Sequence, residues 1–206
     1  MNYQSTATQL KEVIDAIASR GWCSATGGNF SARLDLNSCL ITASGVDKSR
    51  LEAEDFLVCD LNGKVNSTSK KPSAETMLHT SLYGFSADIG AVLHTHSVPA
   101  TVLSTHFLNR DCLIFCGYEM QKALQGITSH EDAVTLPILD NDRNILYLAE
   151  QLKQRWQKDI FSYGFLVRGH GVYAWGKDIQ EAKRHLEGIE FLLACELNKM
   201  LLEVGK

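Results

Sequence analysis

Apolar and polar positions along this chain change period several times, and the changes mark out its elements. Between residues 5 and 20 the apolar side chains Leu10, Val13, Ile14 and Ile17 recur at three- and four-residue intervals, the spacing of one face of an α-helix. Gly21 is a natural stop. A turn-rich loop, Ser24 to Ser31, leads into Phe30–Leu34. Cys39–Thr42 and Asp55–Asp60 read as short strands, and Asn62-Gly63 carries a hairpin turn signal. Lys70-Lys71-Pro72-Ser73-Ala74 opens a helix that continues through Thr76–Phe85, with Ser73 as its N-cap. The apolar run Ile89–Leu93 predicts a strand, and Pro99–Thr105 a helix just after it. Cys112–Phe115 is strand-like, and Leu166–Gly176 reads as a hairpin with His170 at its tip. Asp178 then caps a long helix, Ile179 to about Leu202, with Ala182, Leu186, Ile189, Leu193 and Leu197 along one side. Short strands mixed with turns argue against a regular βαβ alternation. With no repeat, linker or low-complexity segment, residues 1–206 are expected to form one α/β domain.

Composition narrows the class. At 206 residues the chain is long enough for one sizeable core, and 45% hydrophobic with 21% charged residues is ordinary for a globular protein. A formal net charge of −4 argues against a nucleic-acid partner, whose binders are normally basic. There is no apolar run of about 18 residues, so no membrane partner is expected. The polar, amphipathic N-terminus lacks a signal-peptide core. The six cysteines include no C-x-x-C pair, so reduced, mostly buried thiols in a cytoplasmic protein are expected.

The candidate chemistry begins at His94-Thr95-His96, at the end of the Ile89–Leu93 run. Residues i and i+2 of a strand point the same way, so two imidazoles would lie side by side, as two ligands of one metal ion require. A surface histidine pair has the same spacing. His170, flanked by Gly169 and Gly171, is the third candidate ligand, although a histidine between glycines is also a common turn residue. Three nitrogen ligands with a fourth position open would be a catalytic arrangement. His79 and His185 fall on helix faces, and His106 and His130 are expected to be exposed.

Three small polar loops, Thr26-Gly27-Gly28-Asn29, Thr42-Ala43-Ser44-Gly45 and Pro72-Ser73-Ala74, offer backbone N–H groups and hydroxyls of the kind that bind phosphate. Each alone is also an ordinary turn. Lys48 could add charge or sit solvated on the surface. Glu75 suits the first turn of a helix, where it complements the dipole. Glu119, after an apolar strand, could move protons at carbon or be a surface glutamate.

Taken in order, Gly28-Asn29, Thr42-Ala43-Ser44-Gly45, Pro72-Ser73-Ala74-Glu75, His94-Thr95-His96 and His170-Gly171 resemble the pattern of the class II aldolase and adducin head family. The resemblance spans nearly the whole chain. It implies a three-layer α/β/α sandwich with a mainly antiparallel central sheet. It also implies one divalent metal ion per subunit, usually Zn2+, on His94, His96 and His170, and often a homotetramer with sites near subunit interfaces. Phosphate binding would fall to Gly28, Asn29, Ser44, Gly45, Lys48 and Ser73. Ala74 departs from the second serine that many aldolases carry. A narrower likeness, through Ser44–Lys48, Lys71–Thr76, Tyr118-Glu119-Met120 and His170–Gly176, is to a branch that dehydrates a methylthio-substituted ketose 1-phosphate. In that branch the acid/base maps onto Glu119, whereas in the sugar-phosphate aldolases it maps onto Glu75. The alternatives within the family are aldol cleavage of a sugar phosphate such as fuculose or rhamnulose 1-phosphate, and a non-catalytic interaction module like the adducin head.

Overall fold

The structure is a computed structural model that describes residues 2–65, 70–158 and 161–204. Eight strands form one sheet: β1 (Asn29–Arg33), β2 (Ser38–Thr42), β3 (Phe56–Asp60), β4 (Ala91–Thr95), β5 (Cys112–Phe115), β6 (Val134–Leu139), β7 (Gly164–Val167) and β8 (Gly171–Gly176). Their order across the sheet is β3-β2-β1-β4-β8-β7-β6-β5. Among the described residues, β6 and β7 pair in parallel and the other neighbours pair antiparallel. Among the described residues there are five α-helices, α1 (Tyr3–Ala18), α2 (Thr76–Phe85), α3 (Val98–His106), α4 (Ile145–Trp156) and α5 (Ile179–Val204), besides three short 3₁₀ turns.

The strands at the centre are buried on both faces, and their alternation feeds two cores. Ala91 and Leu93 of β4, with Val172 and Ala174 of β8, pack against α1, α3 and α5. Val92 of β4, with Tyr173 and Trp175 of β8, packs on the other face against α2 and α4. This is the expected three-layer sandwich: helices cover both sides because each side of the sheet is apolar. Among the described residues no helix is long and apolar enough to cross a membrane. The six cysteines are free thiols, with Cys23, Cys39 and Cys59 buried and Cys116 exposed.

Most elements lie where the periodicity places them, with three informative differences. Strand β4 begins at Ala91, two residues later than the apolar run, and carries through Thr95. Helix α2 begins at Thr76, and Ser73 is not its N-cap. Ser73 instead closes a turn: its carbonyl accepts from the Thr76 hydroxyl at 2.7 Å and its Oγ from the Glu75 N–H at 3.3 Å. Glu75 holds the N-cap position without a side-chain capping bond, because its carboxylate turns away toward the histidines. Finally, β6 and α4 stand beside the expected elements: β6 runs through Pro137, a residue that counts against a strand, and α4 carries Ile145, Leu148, Ala149, Leu152 and Trp156 at helical spacing toward the core.

Candidate metal centre and active site

Strands β1, β4 and β8 lie side by side and deliver most of the site. His94 pairs with Asn29 on one side and Tyr173 on the other. Its ring is fully buried and stacks on Tyr173 with centroids 4.0 Å apart at 14°. Tyr173 stacks in turn on Phe165 at 4.8 Å. His94 Nδ1 donates to the Val172 carbonyl at 2.9 Å, which leaves the Nε2 lone pair free as a ligand. His96 lies just past the end of β4, its N–H bonded to the Trp22 carbonyl at 2.9 Å. His170 comes from the β7–β8 turn, where the Thr101 hydroxyl donates to its carbonyl at 3.1 Å.

The three rings meet through Nε2. His94 and His96 are 2.9 Å apart, His96 and His170 2.9 Å, and His94 and His170 3.3 Å. Glu75 joins them, with Oε2 3.2 Å from His94 Nε2 and Oε1 3.1 Å from His170 Nε2. Three converging Nε2 atoms cannot all satisfy one another by hydrogen bonding, since each neutral ring carries a single proton. Ligands bound at about 2.0–2.1 Å to one tetrahedral ion sit roughly 3.3 Å from one another, which matches this cluster. The donor set of three imidazole nitrogens and a carboxylate oxygen, all within 4.8 Å, therefore fits a divalent metal ion.

The electrostatics agree. Burial pushes the His94 ring well below the usual histidine range, helped by His96 and His170 and opposed by Glu75. His96 is lowered by burial and by His170. Neutral imidazole is the form that binds metal. Burial works against the Glu75 charge, but hydrogen bonds from His170 and the Asn29 amide outweigh it and hold the carboxyl well below the carboxylate range. Tyr173 also donates to Glu75 Oε2, at 2.5 Å.

The Gly28-Asn29 loop lies against these ligands. A Cβ on Gly28 would come within 2.7 Å of the His94 carbonyl, and its φ of +79° is a left-handed conformation that favours glycine. Asn29 Nδ2 donates to Glu75 Oε2 at 2.9 Å, so its amide serves the carboxylate. Ala43 bridges Pro72, and the Ser44 N–H donates to the Lys71 carbonyl at 2.9 Å, which sets the second and third loops side by side. Ser44 and Gly45 are exposed and Ser73 is half-buried. Lys48 is 2% exposed, and its Nζ donates to the carbonyls of Thr26 and Val46, tying the first loop to the second.

Glu119 lies elsewhere. It opens a 3₁₀ turn, Glu119–Ala123, with its side chain 70% exposed and ion-paired to Lys122 at 2.7 Å and His130 at 3.3 Å. Within one chain, Glu75 is the acid that meets the histidines. Tyr173 and His79 join the site without a sequence signal of their own. Tyr173 sits in an apolar alternating strand, and His79 looks like any polar residue on a helix. The one hint is that His79 falls four residues after Glu75, on the face of α2 that Leu78 and Leu82 bury.

The metal-capable cluster within a three-layer sandwich defines a class before any single relative does. Residues 8–197 match the class II aldolase and adducin N-terminal domain family, and the chain belongs to that family. Among curated relatives, it is 51% identical over 203 residues to a methylthioribulose-1-phosphate dehydratase of Pectobacterium carotovorum, covering 98% of each chain. It is 54% identical over 189 residues to the enzyme of that name in Yersinia pseudotuberculosis, covering 92% of this chain and 85% of that one. Among solved structures it is similar to the L-fuculose-1-phosphate aldolase of Thermus thermophilus, at 25% identity and a TM-score of 0.78 over 98% of both chains. A sugar-phosphate aldolase from Thermotoga maritima shares the fold, at 20% identity and a TM-score of 0.68 over 98% of this chain and 97% of that one.

Proposed function

We propose that this protein is a hydro-lyase that dehydrates 5-methylthioribulose 1-phosphate to 2,3-diketo-5-methylthiopentyl 1-phosphate, a step of methionine salvage. The observation that carries this reading is identity above one half with dehydratases of that name across almost the whole chain, on a fold whose site presents a carboxylate beside three histidines. The reaction removes the proton from C3, next to the C2 carbonyl, and expels the C4 hydroxyl as water. The resulting C3–C4 enol then becomes the second ketone.

A divalent cation on His94, His96 and His170, which we take to be one Zn2+ per subunit, supplies Lewis-acid stabilisation of the negative charge that develops on oxygen. The rest falls to the chain's own side chains. Glu75, ionised and held at Oε2 by Asn29 and Tyr173, presents Oε1 toward His170 as a proton acceptor. Ser44, Gly45 and Ser73 receive the phosphate, with Gly28 and Asn29 bordering the same floor and Lys48 adding charge, so the carbon chain is held over the histidines. Glu119 moves the second proton, to the leaving hydroxyl. Glu119 is exposed, pairs with Lys122 and His130 among the described residues and lies outside the histidine cluster of its own chain; in this reading it acts in the site of an adjacent subunit of a homotetramer in the cytoplasm.

Incubating the purified protein with 5-methylthioribulose 1-phosphate tests the reading. Diketone absorbance is expected. Release of an aldehyde instead would place the chain with the sugar-phosphate aldolases it resembles in fold, and inertness toward both would return it to a binding role.

A further inference from the structure

Behind Glu75 and Asn29 runs a buried chain of polar groups, His79, Ser31 and Tyr83, that the proposed chemistry does not use. Asn29 Oδ1 is 2.5 Å from His79 Nε2, His79 Nδ1 is 2.7 Å from Ser31 Oγ, and Ser31 Oγ is 2.7 Å from the Tyr83 hydroxyl. Ser31 pairs with Val92 across β1 and β4, which sets this chain inside the sheet. Asn29, Ser31, His79 and Tyr83 are all at most 5% exposed, so these groups satisfy one another or go unsatisfied.

The donor directions follow from Asn29, whose Nδ2 lies on Glu75 Oε2 and whose Oδ1 lies on His79 Nε2; an amide oxygen only accepts. His79 Nε2 must therefore carry a proton. Burial pushes this ring down to about 4, so it holds one proton only, and Nδ1 is bare. Ser31 must then donate to Nδ1, and Tyr83 to Ser31. Every link donates toward the carboxylate. Reversing the Asn29 amide would set its oxygen against Glu75 and its NH₂ against the His79 N–H. Reversing the histidine tautomer as well would strand the Tyr83 proton, because among the described residues the Tyr83 hydroxyl is hydrogen-bonded to no side chain but Ser31.

We propose that His79 is a positioning residue for Glu75: its Nε2–H, held by the Ser31 and Tyr83 hydroxyls, donates to Asn29 Oδ1 and fixes in place the amide whose NH₂ holds Glu75 Oε2. The oxygen left for proton transfer is then Oε1, on the His170 side. The role in catalysis rests on the dehydratase reading, but the hydrogen-bond directions do not.

The test has two arms. In the metal-free protein, nitrogen-15 shifts of the His79 ring should report the Nε2–H tautomer, unchanged between pH 5 and 8. A protonated Nδ1 would overturn the proposal whatever reaction the protein performs. In the metal-loaded protein, His79→Leu should bind metal as tightly as the parent. Its kcat should fall about tenfold with KM little changed, the scale typical of a lost supporting hydrogen bond. His79→Gln, whose amide can donate from the same position, should keep most of the activity. Parent-like kcat in His79→Leu would sink the idea. If that variant does not fold, Ser31→Ala frees the tautomer at smaller steric cost and should lower kcat with KM little changed; a parent-like kcat there counts against the proposal.

Discussion

Glu190 shows what a single buried group can reveal. It is 2% exposed, its Oε1 accepts from the Thr95 hydroxyl at 2.7 Å, and Oε2 has no hydrogen-bond partner among the described residues. Burial pushes its carboxyl up to about 7, against the pull of the Ser97 and Thr95 hydroxyls. The folded state thus keeps a proton, between about pH 4.5 and 7, that the unfolded chain has lost. Stability therefore falls as pH rises through that window, by at most about 3 kcal/mol. Glu190→Gln should be more stable than the parent at pH 8, with the gap closing toward pH 5; denaturant titrations of both proteins across pH would check it. At the metal centre, His94→Ala removes a fully buried ligand. We expect the purified variant to lose bound metal and turnover together, and metal analysis alongside the dehydratase assay decides this. Full activity in metal-stripped protein would remove the metal from the mechanism. Glu75→Gln should retain the fold and lose roughly 10²–10⁴-fold in kcat. These roles were only partly legible in the sequence. Residue type and spacing pointed to His94, His96 and His170. Nothing local distinguished Glu75 from a dipole-complementing glutamate, because the difference lies in which way its side chain turns.

At the scale of elements, the site depends on how closely β4 approaches β8. A Cβ on Gly171 would collide with the Thr95 carbonyl and come within 3.1 Å of His94 Cε1. Gly171→Ala should force β8 away from β4, cost about 1–3 kcal/mol as overpacking does, and weaken metal retention. Thermal melting and metal content, measured together, would show whether the two losses coincide. The elements that build this region, β1, β4, β8 and α5, were readable because each has a strong period or a clear glycine boundary. The exceptions are instructive. β6 carries Pro137, which the period rules count against a strand, yet it pairs in parallel with β7 and antiparallel with β5. The expected cap at Ser73 gave way to a local turn, in which the Thr76 hydroxyl and N–H donate to the Ser73 carbonyl, so the helix starts later, at Thr76.

For the whole molecule, the separation of Glu119 from Glu75 becomes a question about assembly. If both acids serve one reaction, a second copy must bring Glu119 to the histidines. Glu75→Gln and Glu119→Gln homo-oligomers should each be inactive, and mixing them under conditions that exchange subunits should restore part of the activity, because some sites then hold both native acids. No recovery in verified mixed oligomers would end the shared-site reading. Light scattering should report a multiple of the 22.8 kDa chain. The kind of domain, the three histidines and the order of the small-residue loops were legible along the chain, because periodicity, glycine placement and ligand type are local properties. That Glu75 joins the histidines, that Tyr173 and Asn29 hold it there and that Glu119 faces outward emerged only on folding. Those outcomes depend on strands far apart in the chain becoming neighbours, and on buried polar groups finding partners once water is excluded.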